Sequence, residues 1–574
     1  MRRTGQFLVI VASTVTFASS AEYRNTHPGV RFAGSTSCAA CHRKIYNDFR
    51  KTSMGRSLTQ LTPDLKAALP MTADIPSKVP GHSYHIHWQG TDLYQSESVL
   101  GGDGKRVNGP NYKAEYVVGA GVNGYTFLLR RGNWLFEAPI SYYSRSRAWD
   151  LSPGFDAYDA GFTRPIRTSC LECHVGSFAS TVQEPATFPP EPFREAAIGC
   201  ENCHGPGELH VRERGAAQPL PSPDTSIVNP ARLTRDLANN ICMRCHQGND
   251  ARTLQPGKIS SDFRPGTWLN DTLAIFKIPL RQGGRVAESD LLEHTFAMML
   301  SRCYRASGSL SCLTCHSIHE SVPVAERPSY RSKCLICHTT TSCKLEISQR
   351  QPDDCVACHM PKRAVPTISH AALTNHRIVR TPDEPYPEVA YADSVGESPG
   401  LIHVSRSPEP EYNQVAPITL LQAYRTLLVK EPTLRQKYLA LLDQLKRSQP
   451  ANPVVLAAAG HEELADGSNA GAERAAALLS QAIQQGESSA EVSLDLANAL
   501  DRNRRFDEAR HFLAEALTRE PYVPTLYKAL ISLDVKTGKY QEAERSMRAY
   551  LWLYPNDQTV GELLKEIQLT RAGR

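Results

Sequence analysis

The pattern of apolar and polar residues changes character along the chain. Between about residues 80 and 150, apolar residues alternate with polar ones or form short blocks separated by Gly and Asn turns. This pattern is typical of β-strands. The segments that carry it are HSYHIHWQG, AEYVVGAG, YTFLLRRG and NWLFEAPISYY. The pattern therefore predicts a small β-rich insert.

The C-terminal region, residues 416–574, contains no cysteine and repeats with a helical pattern. The recurring positions lie 34 residues apart: Phe506, Ala509, Ala516 and Pro521 reappear as Tyr540, Ala543, Tyr550 and Pro555. This period is the signature of tetratricopeptide repeats, although an irregular helical bundle is an alternative. Such arrays present a concave face to partners, so we expect a docking module, preceded by a linker over 381–415.

The N-terminus has the layout of a secretory signal peptide. Two arginines precede an apolar run from Phe7 to Ala18, followed by small residues up to Ala21. A membrane anchor is the alternative, but a spanning helix needs about 20 apolar residues. We expect residues 1–21 to be removed, leaving no membrane span, and the mature chain to be periplasmic or extracellular.

The 574 residues include 16 cysteines, and fourteen of these lie in seven copies of the pentapeptide C-x-x-C-H. Two thiols at this spacing match the two vinyl-derived carbons of one haem, and the adjacent imidazole can ligate its iron. A redox dithiol or a zinc pair does not require the histidine in every copy. We therefore expect seven covalently attached haem c groups. The motifs are Cys38/Cys41/His42, Cys170/Cys173/His174, Cys200/Cys203/His204, Cys242/Cys245/His246, Cys312/Cys315/His316, Cys334/Cys337/His338 and Cys355/Cys358/His359.

The haems would change the charge of the protein. The formal net charge of +5 becomes +3 when Arg2 and Arg3 leave with the signal peptide. Each ferric haem with two ionised propionates adds about −1, so the oxidised protein would carry about −4. The basic composition therefore does not indicate nucleic-acid binding.

A haem iron that only passes electrons needs a sixth, distal ligand. A single histidine is more often an ordinary surface or packed residue, but sequence context favours several of them. Five predicted distal ligands are His210, His294, His319, His370 and His376.

Two further candidates complete the count of seven. For the first haem the first soft ligand along the chain is Met54, with simple packing as its alternative. His87 is favoured within the cluster formed with His82 and His85, because it lies on the predicted strand HIHW.

Two cysteines, Cys303 and Cys343, lie outside the motifs. In an oxidising compartment they are candidates for a disulfide, and two buried, inert thiols are the alternative.

Several strings resemble exported multihaem c-type cytochromes with C-terminal tetratricopeptide repeats. They are YRNTHPGVRFAGSTSCAACHRKIYNDFRKTSMGRS, PISYYSRSRAWDLSPGFD, CENCHGPGELH, SRCYRASGSLSCLTCHSIH and DDCVACHMPKRAVPTISHAALTNHRI. The haem part is similar to the tetrahaem cytochrome c family of ammonia oxidisers, and more remotely to pentahaem nitrite reductases and octahaem hydroxylamine oxidoreductases.

The resemblance implies that His210, His319, His370 and His376 are distal ligands, that His87 occupies a position often held by His, and that Met54 belongs to a shared Met-Gly-Arg-Ser string. The chain lacks the C-x-x-C-K motif of the nitrite reductases and a clear tyrosine cross-link site. The enzymatic activities of those relatives are therefore not implied.

The expected fold is mainly α with a small β-rich insert: a haem-cored cytochrome domain over 22–380, then an α-helical solenoid. The favoured function is electron transfer between redox-partner proteins docked in part by the repeats. One alternative is an oxidoreductase with one five-coordinate haem that acts on a small nitrogen or sulfur oxyanion, beside Arg130, Arg131, Arg145 and Arg147. In a third hypothesis the repeats are a binding scaffold and the haems are structural.

Overall fold

The structure is a computed structural model. It describes residues 23–101, 104–179, 187–216, 223–247, 250–281, 294–320, 330–339, 343, 345, 355–364, 372–381, 383–391, 398–555 and 557–572. The predicted signal peptide and His370 lie outside these residues. In the part of the chain that is described, no helix is long and apolar enough to cross a bilayer.

The N-terminal part contains an eleven-stranded antiparallel sheet whose main path follows the order β10-β9-β7-β6-β4-β3-β2. It is larger than the small insert that the sequence predicts, because several added strands are too short to show alternation. The strands are β1 Leu58–Gln60, β2 Ala73–Pro76, β3 His82–Gln89, β4 Asp92–Leu100, β5 Arg106–Asn108, β6 Tyr112–Val118, β7 Gly124–Arg131, β8 Trp134–Glu137, β9 Ile140–Tyr143, β10 Ala148–Leu151 and β11 Arg164–Pro165.

The longest hairpin of the sheet joins β3 to β4, in register from His82 opposite Val99 to Gln89 opposite Asp92. Gly90 opens its two-residue turn with a φ of 60°, a conformation that glycine adopts without steric cost. Alternate side chains of the sheet point into one apolar core. That core includes Tyr84, Ile86, Leu93, Val117, Phe127 and Leu129.

The motif-bearing region has short helices and few strands. Two helices precede the sheet, α1 Ser35–Ala39 and α2 Arg43–Phe49, and α3 Pro63–Ala68 lies between β1 and β2. The helices that follow the sheet are α4 Thr168–Leu171, α5 Glu201–His204, α6 Glu208–Gly215, α7 Arg235–Met243, α8 His294–Met299, α9 Arg302–Ala306, α10 Cys312–Cys315, α11 Arg331–Cys334 and α12 Cys355–His359. The strands of the motif-bearing region are β12 Ser177–Phe178, β13 Phe193–Glu195, β14 Ala251–Leu254, β15 Leu273–Lys277, β16 Lys362–Ala364, β17 Ala372–Thr374 and β18 Ile402–His403.

The C-terminal region is a stack of antiparallel helices that keeps the predicted repeat. Ala475, Ala509 and Ala543, spaced at the repeat period, are each fully buried where helices cross, and the close packing leaves no room for a larger side chain. The helices are α13 Pro417–Leu427, α14 Arg435–Ser448, α15 Pro453–Ala465, α16 Asn469–Gln484, α17 Ala490–Arg502, α18 Phe506–Arg519, α19 Pro524–Lys536, α20 Tyr540–Leu553 and α21 Gln558–Ala572.

The start of the helical stack is packed on the motif-bearing region. Phe276 and Leu401 share an apolar cluster with Leu421 and Tyr424 of α13. Within the predicted linker, β18 pairs with β15. The described residues from 398 onward are therefore packed against the protein, and the stack does not begin on a free tether.

The far end of the stack contacts the sheet. Tyr522, between α18 and α19, packs edge-on against Trp134 at 4.8 Å and Phe136 at 6.2 Å between ring centroids. The Arg131 guanidinium lies 5.0 Å from the Trp552 ring and donates a hydrogen bond of 3.2 Å to its carbonyl oxygen. The stack is thus fixed to the rest of the protein at both ends.

We expect Tyr522→Ala to destabilise the protein by about 3 kcal/mol, because truncating a buried aromatic side chain leaves a cavity. Tyr522 is only 4% exposed, whereas Trp552 at the rim of the same contact is 69% exposed. Trp552→Ala should cost about 1 kcal/mol or less, the usual value of an exposed cation–π contact. Thermal unfolding of the two variants would measure this; equal losses would contradict the packing described here.

Candidate functional site

Each C-x-x-C-H motif lies on a single helical turn. In five motifs the histidine N–H donates a hydrogen bond of 2.8 to 3.0 Å to the carbonyl oxygen of the first cysteine. That bond places the first thiol and the imidazole on one face of the turn, with the second thiol close by. These histidines are His42, His204, His246, His316 and His338. The second motif differs, because the His174 N–H bonds to Leu171 instead.

Partial desolvation by the surrounding protein lowers the pKa of four motif histidines below the usual value for histidine, because it disfavours the charged ring, although none of the four is fully buried. They are His174, His204, His246 and His316. The same cause lowers the pKa of His376 to about 4. Near neutral pH these rings are uncharged, which is the form that can ligate a metal ion.

Three motif histidines face a second histidine from a distant part of the chain. The ring centroids are 6.4 Å apart for His42 and His210, 6.0 Å for His204 and His319, and 6.1 Å for His316 and His376. Two imidazoles that each ligate one metal ion at about 2 Å have centroids about 6 Å apart. The three pairs therefore fit an iron between them.

A fourth motif histidine, His246, lies 5.1 Å from His294, with the two rings nearly perpendicular. His294 is also 4.5 Å from His376. These distances are shorter than the spacing of a shared metal ion, so the rings would have to separate by about 1 Å to hold an iron.

Hydrogen bonds fix the orientation of several of these rings. His204 Nδ1 donates to the Val228 carbonyl oxygen at 2.8 Å, and His376 Nδ1 donates to that of Thr374 at 3.0 Å. His359 Nδ1 does the same with Val379 at 2.6 Å. Because a carbonyl only accepts, the proton is on Nδ1, and the lone pair of Nε2 is left for a metal ion.

His210 is held in the same way by side chains. Its Nδ1 lies 3.0 Å from an Asp224 carboxylate oxygen and 3.2 Å from the Ser226 hydroxyl. Arg214 also binds that carboxylate at 2.6 Å. The sequence analysis missed these partners, as well as the backbone carbonyls above, since no local pattern indicates a hydrogen bond formed across a loop.

Thiols of different motifs touch one another. Four pairs form thiol hydrogen bonds: Cys38 with Cys200, Cys173 with Cys245, Cys242 with Cys312, and Cys334 with Cys355. The first motif is thus next to the third and the second next to the fourth, which the order along the chain does not indicate.

Four motif thiols are exposed on the surface of the protein chain. In the sixth and seventh motifs the contact between motifs is made by the first cysteines, Cys334 and Cys355. The second cysteines of these two motifs, Cys337 and Cys358, are exposed. Their attachment to haem stays a prediction. The four exposed thiols are those of Cys41, Cys170, Cys337 and Cys358.

The two cysteines outside the motifs, Cys303 and Cys343, are not linked to each other by a disulfide, and both remain thiols. Each is partly buried, and burial raises the pKa of the Cys303 thiol. A raised pKa keeps a thiol protonated and unreactive near neutral pH. The structure therefore agrees with the alternative of inert thiols for Cys303.

A buried carboxylate joins the first and third motifs. Glu201, within the third motif, accepts hydrogen bonds from the backbone N–H groups of Ala33, Gly34 and Gly207 at 2.6 to 2.8 Å. The fully buried Asn25 donates to the His204 carbonyl oxygen at 2.8 Å. These bonds hold the segment before the first motif against the third.

Two predicted distal ligands, Met54 and His87, precede the second motif in the chain. Met54 is half-buried, and Ser57, just after it in the chain, donates a hydrogen bond of 2.7 Å to the His174 carbonyl oxygen. His87 lies on β3, stacked on Tyr94 at 5.5 Å. His85 bonds Asp74 and Ser98, which links three neighbouring strands.

Among the described residues, no second histidine ring contacts the imidazoles of His174, His338 or His359. The arginines expected near an open haem are engaged or exposed. Arg130 pairs with Glu115 and Arg131 with Trp552, while Arg145 and Arg147 are exposed.

Two family models match parts of the chain. Residues 157–205, which contain the second and third motifs, match the model for cytochrome c554 and c-prime, and residues 471–532 match a tetratricopeptide repeat model. The chain therefore carries a cytochrome c segment, a type that binds haem covalently, and a tetratricopeptide repeat region. No curated protein matches the chain.

Solved structures show weaker similarity. A thermophilic TPR protein of Thermus thermophilus is 20% identical over 27% of this chain and 82% of its own, with a TM-score of 0.22. The Arabidopsis OM64 TPR domain is 18% identical over 21% of this chain and 95% of its own, with a TM-score of 0.19. The outer cell wall cytochrome OcwA is 14% identical over 85% of this chain and 99% of its own, with a TM-score of 0.34.

We expect Glu201→Gln to destabilise the protein by about 2 to 4 kcal/mol. The carboxylate is only 5% exposed, and an amide presents a donor to at least one of the three buried N–H groups. Glu208→Gln is the matched control, because Glu208 forms an exposed pair with Arg31. Thermal unfolding measures both, and a loss no greater than that of the control would refute the role given to Glu201.

His403 is a buried structural histidine, and we expect it to make stability depend on pH. It is 3% exposed and bonds Asn270 at 2.9 Å, and burial lowers its pKa to about 4. Because the unfolded chain binds this proton more tightly, stability falls as pH drops from about 6.5 to 4, by about 3 kcal/mol.

A glutamine at this position has no proton to gain. In melting temperatures measured across that pH range, His403→Gln should therefore lose less stability on acidification than the wild-type protein. Parallel curves for the two proteins would show that His403 is not the group responsible.

Proposed function

We propose that this chain is an exported heptahaem c-type cytochrome that transfers electrons between redox partners. The observation that carries the proposal is the set of three histidine pairs near 6 Å, in which a motif histidine faces His210, His319 or His376. Such pairs support six-coordinate irons, the form suited to carrying electrons. His294 is proposed as the partner of His246, and Met54, His87 and His370 as candidates for the remaining irons.

The chain's own residues would bind and orient each group. Two thiols form the covalent attachment, and a neutral imidazole held through its Nδ1–H offers Nε2 as the axial ligand. Haem iron bound in this way supplies a one-electron couple whose potential depends on its axial ligands and burial. Where a ligand ring is hydrogen-bonded through Nδ1, as in His204, His210 and His376, it would move little when the charge of the site changes.

The contacts between motifs support a continuous path. Besides the four thiol pairs, Cys203 lies near Cys242, and Cys315 lies near Cys334. The path that these contacts support runs from the first motif through the third, fourth, fifth and sixth to the seventh. The second motif joins it at the fourth.

The tetratricopeptide repeat region would bind a redox partner, as such arrays commonly bind proteins. We propose a periplasmic or extracellular location, supported by the predicted signal peptide and by the need to attach haem to free thiols after export. No nucleic-acid partner is proposed.

Replacing a distal ligand tests the pairing directly. His319→Ala should open one axial position at the iron held by His204 and add about one haem equivalent of high-spin ferric signal in electron paramagnetic resonance, since the weak-field water or empty site replaces an imidazole. His511→Ala is the control, because this histidine is exposed in the repeat region.

An unchanged low-spin spectrum in His319→Ala would refute the assignment. Intact mass tests the haem number separately, with an excess of seven haems over the mature polypeptide as the expected result. A smaller mass excess would overturn the number of seven haems, while the pairing of His204 with His319 would still be tested by the resonance experiment.

A second candidate function is a reductase or oxidase with one open haem at His174. It is favoured because the described residues bring no second imidazole into contact with this ring and because its motif has a different backbone hydrogen bond. A high-spin signal in the unmodified protein that disappears on adding nitrite or cyanide would support this function over simple electron transfer.

A further inference from the structure

The surface around the first motif is exposed and strongly basic. Cys41 and His42 are both exposed, so a group attached there would have an edge near solvent. The segment 43–56 that follows has one acidic residue, Asp48, against five basic ones. The basic residues are Arg43, Lys44, Arg50, Lys51 and Arg56, and all five are exposed.

The lysines of this basic patch point to solvent. The side chains of Lys44 and Lys51 are 85% and 70% exposed, and both contact Asp48, at 2.8 and 3.4 Å. Glu320 is the other acidic group near Lys44. Glu195 interacts with Arg50 of the patch. Asp48, Glu320 and Glu195 together offset at most three of the five positive charges, so the patch keeps a positive potential.

The patch also has features of a protein contact surface. Ile45 is 44% exposed in the middle of the charged residues. Arg50 lies 5.6 Å from the Tyr46 ring and donates to its hydroxyl at 2.9 Å. An apolar centre, an aromatic–arginine pair and a charged rim are typical of a transient protein interface.

We propose that this basic patch is where an acidic, one-electron carrier protein docks to exchange electrons with the first haem. The inference rests on the proposed function. One electron passes between the partner and the iron held by His42, so that one is oxidised as the other is reduced, and no proton or further reactant is needed. Long-range attraction between the charges would speed the encounter and orient the partner over the exposed motif.

The position of the patch favours a protein over an anionic membrane. The charge surrounds the exposed face of a motif at one end of the proposed path, which is where an electron carrier must approach. A lipid surface would gain nothing from that position. Binding to anionic lipid is therefore treated as a contrary outcome of the test.

The test uses flavodoxin, a small acidic electron carrier, as the probe, with the haem-loaded protein. We expect Lys44→Glu combined with Lys51→Glu to weaken binding about tenfold at low ionic strength, where the Debye length is about 30 Å, and to lower the electron-transfer rate similarly. Asp48→Asn should strengthen binding. Lys446→Glu combined with Arg447→Glu is the matched control, with the same change of net charge in the repeat region.

Equal weakening by the control would overturn the proposal, since only net charge would then matter. So would a patch variant that binds as wild type does, or wild-type protein that sediments with phosphatidylserine vesicles but does not bind flavodoxin. Failure of the proposed function can be distinguished from failure of the docking proposal. It would appear as missing haem absorbance or incomplete reduction by dithionite in every variant, whether or not that variant binds flavodoxin.

Discussion

The arrangement of this protein depends on imidazole rings that face each other in pairs, and several of these rings are held through Nδ1. A motif fixes one such ring on a helical turn, but the second ring of each pair comes from far along the chain. His204 faces His319, and His316 faces His376. Every pair therefore constrains two distant segments, and four thiol contacts between motifs add further constraints. Short helices and long loops suffice because the chain is held at these points as well as by an apolar cluster that includes Leu269, Ile275 and Phe296.

The sequence predicted local features well because their signals are local. The strand alternation of residues 82–89 and the repeat positions Ala509 and Ala543 follow from patterns along the chain. The full extent of the sheet could not be predicted in this way, because strands as short as Arg164–Pro165 show no alternation and form only by pairing with a neighbouring strand. Tertiary contact, which a single sequence does not reveal, creates them.

In the candidate site, too, the sequence predicted local features but not the tertiary contacts. The motif spacing predicted the attachment chemistry, and His210 and His319 were selected by context. The sequence alone could not predict which histidine faces which. His42 and His210 come from distant segments, and the hydrogen bonds of Glu201 and Asn25 hold the segment before the first motif against the third motif. The sequence suggested Met54 for the first haem, whereas the structure places His210 beside His42.

The repeat region, for which we propose a role in docking, also packs on the rest of the protein at both of its ends. Its first helix shares a core with Phe276 and Leu401, and its last loops pack Tyr522 and Trp552 on the sheet. Because both ends are attached, bending the solenoid would strain contacts on the sheet and on the motif-bearing region together. A partner bound to the free face of the repeats would therefore be held at a fixed distance from the motifs, which a flexible tether could not achieve. If the motifs hold redox groups, as we propose, this fixed distance would matter, because the rate of electron transfer falls steeply with separation.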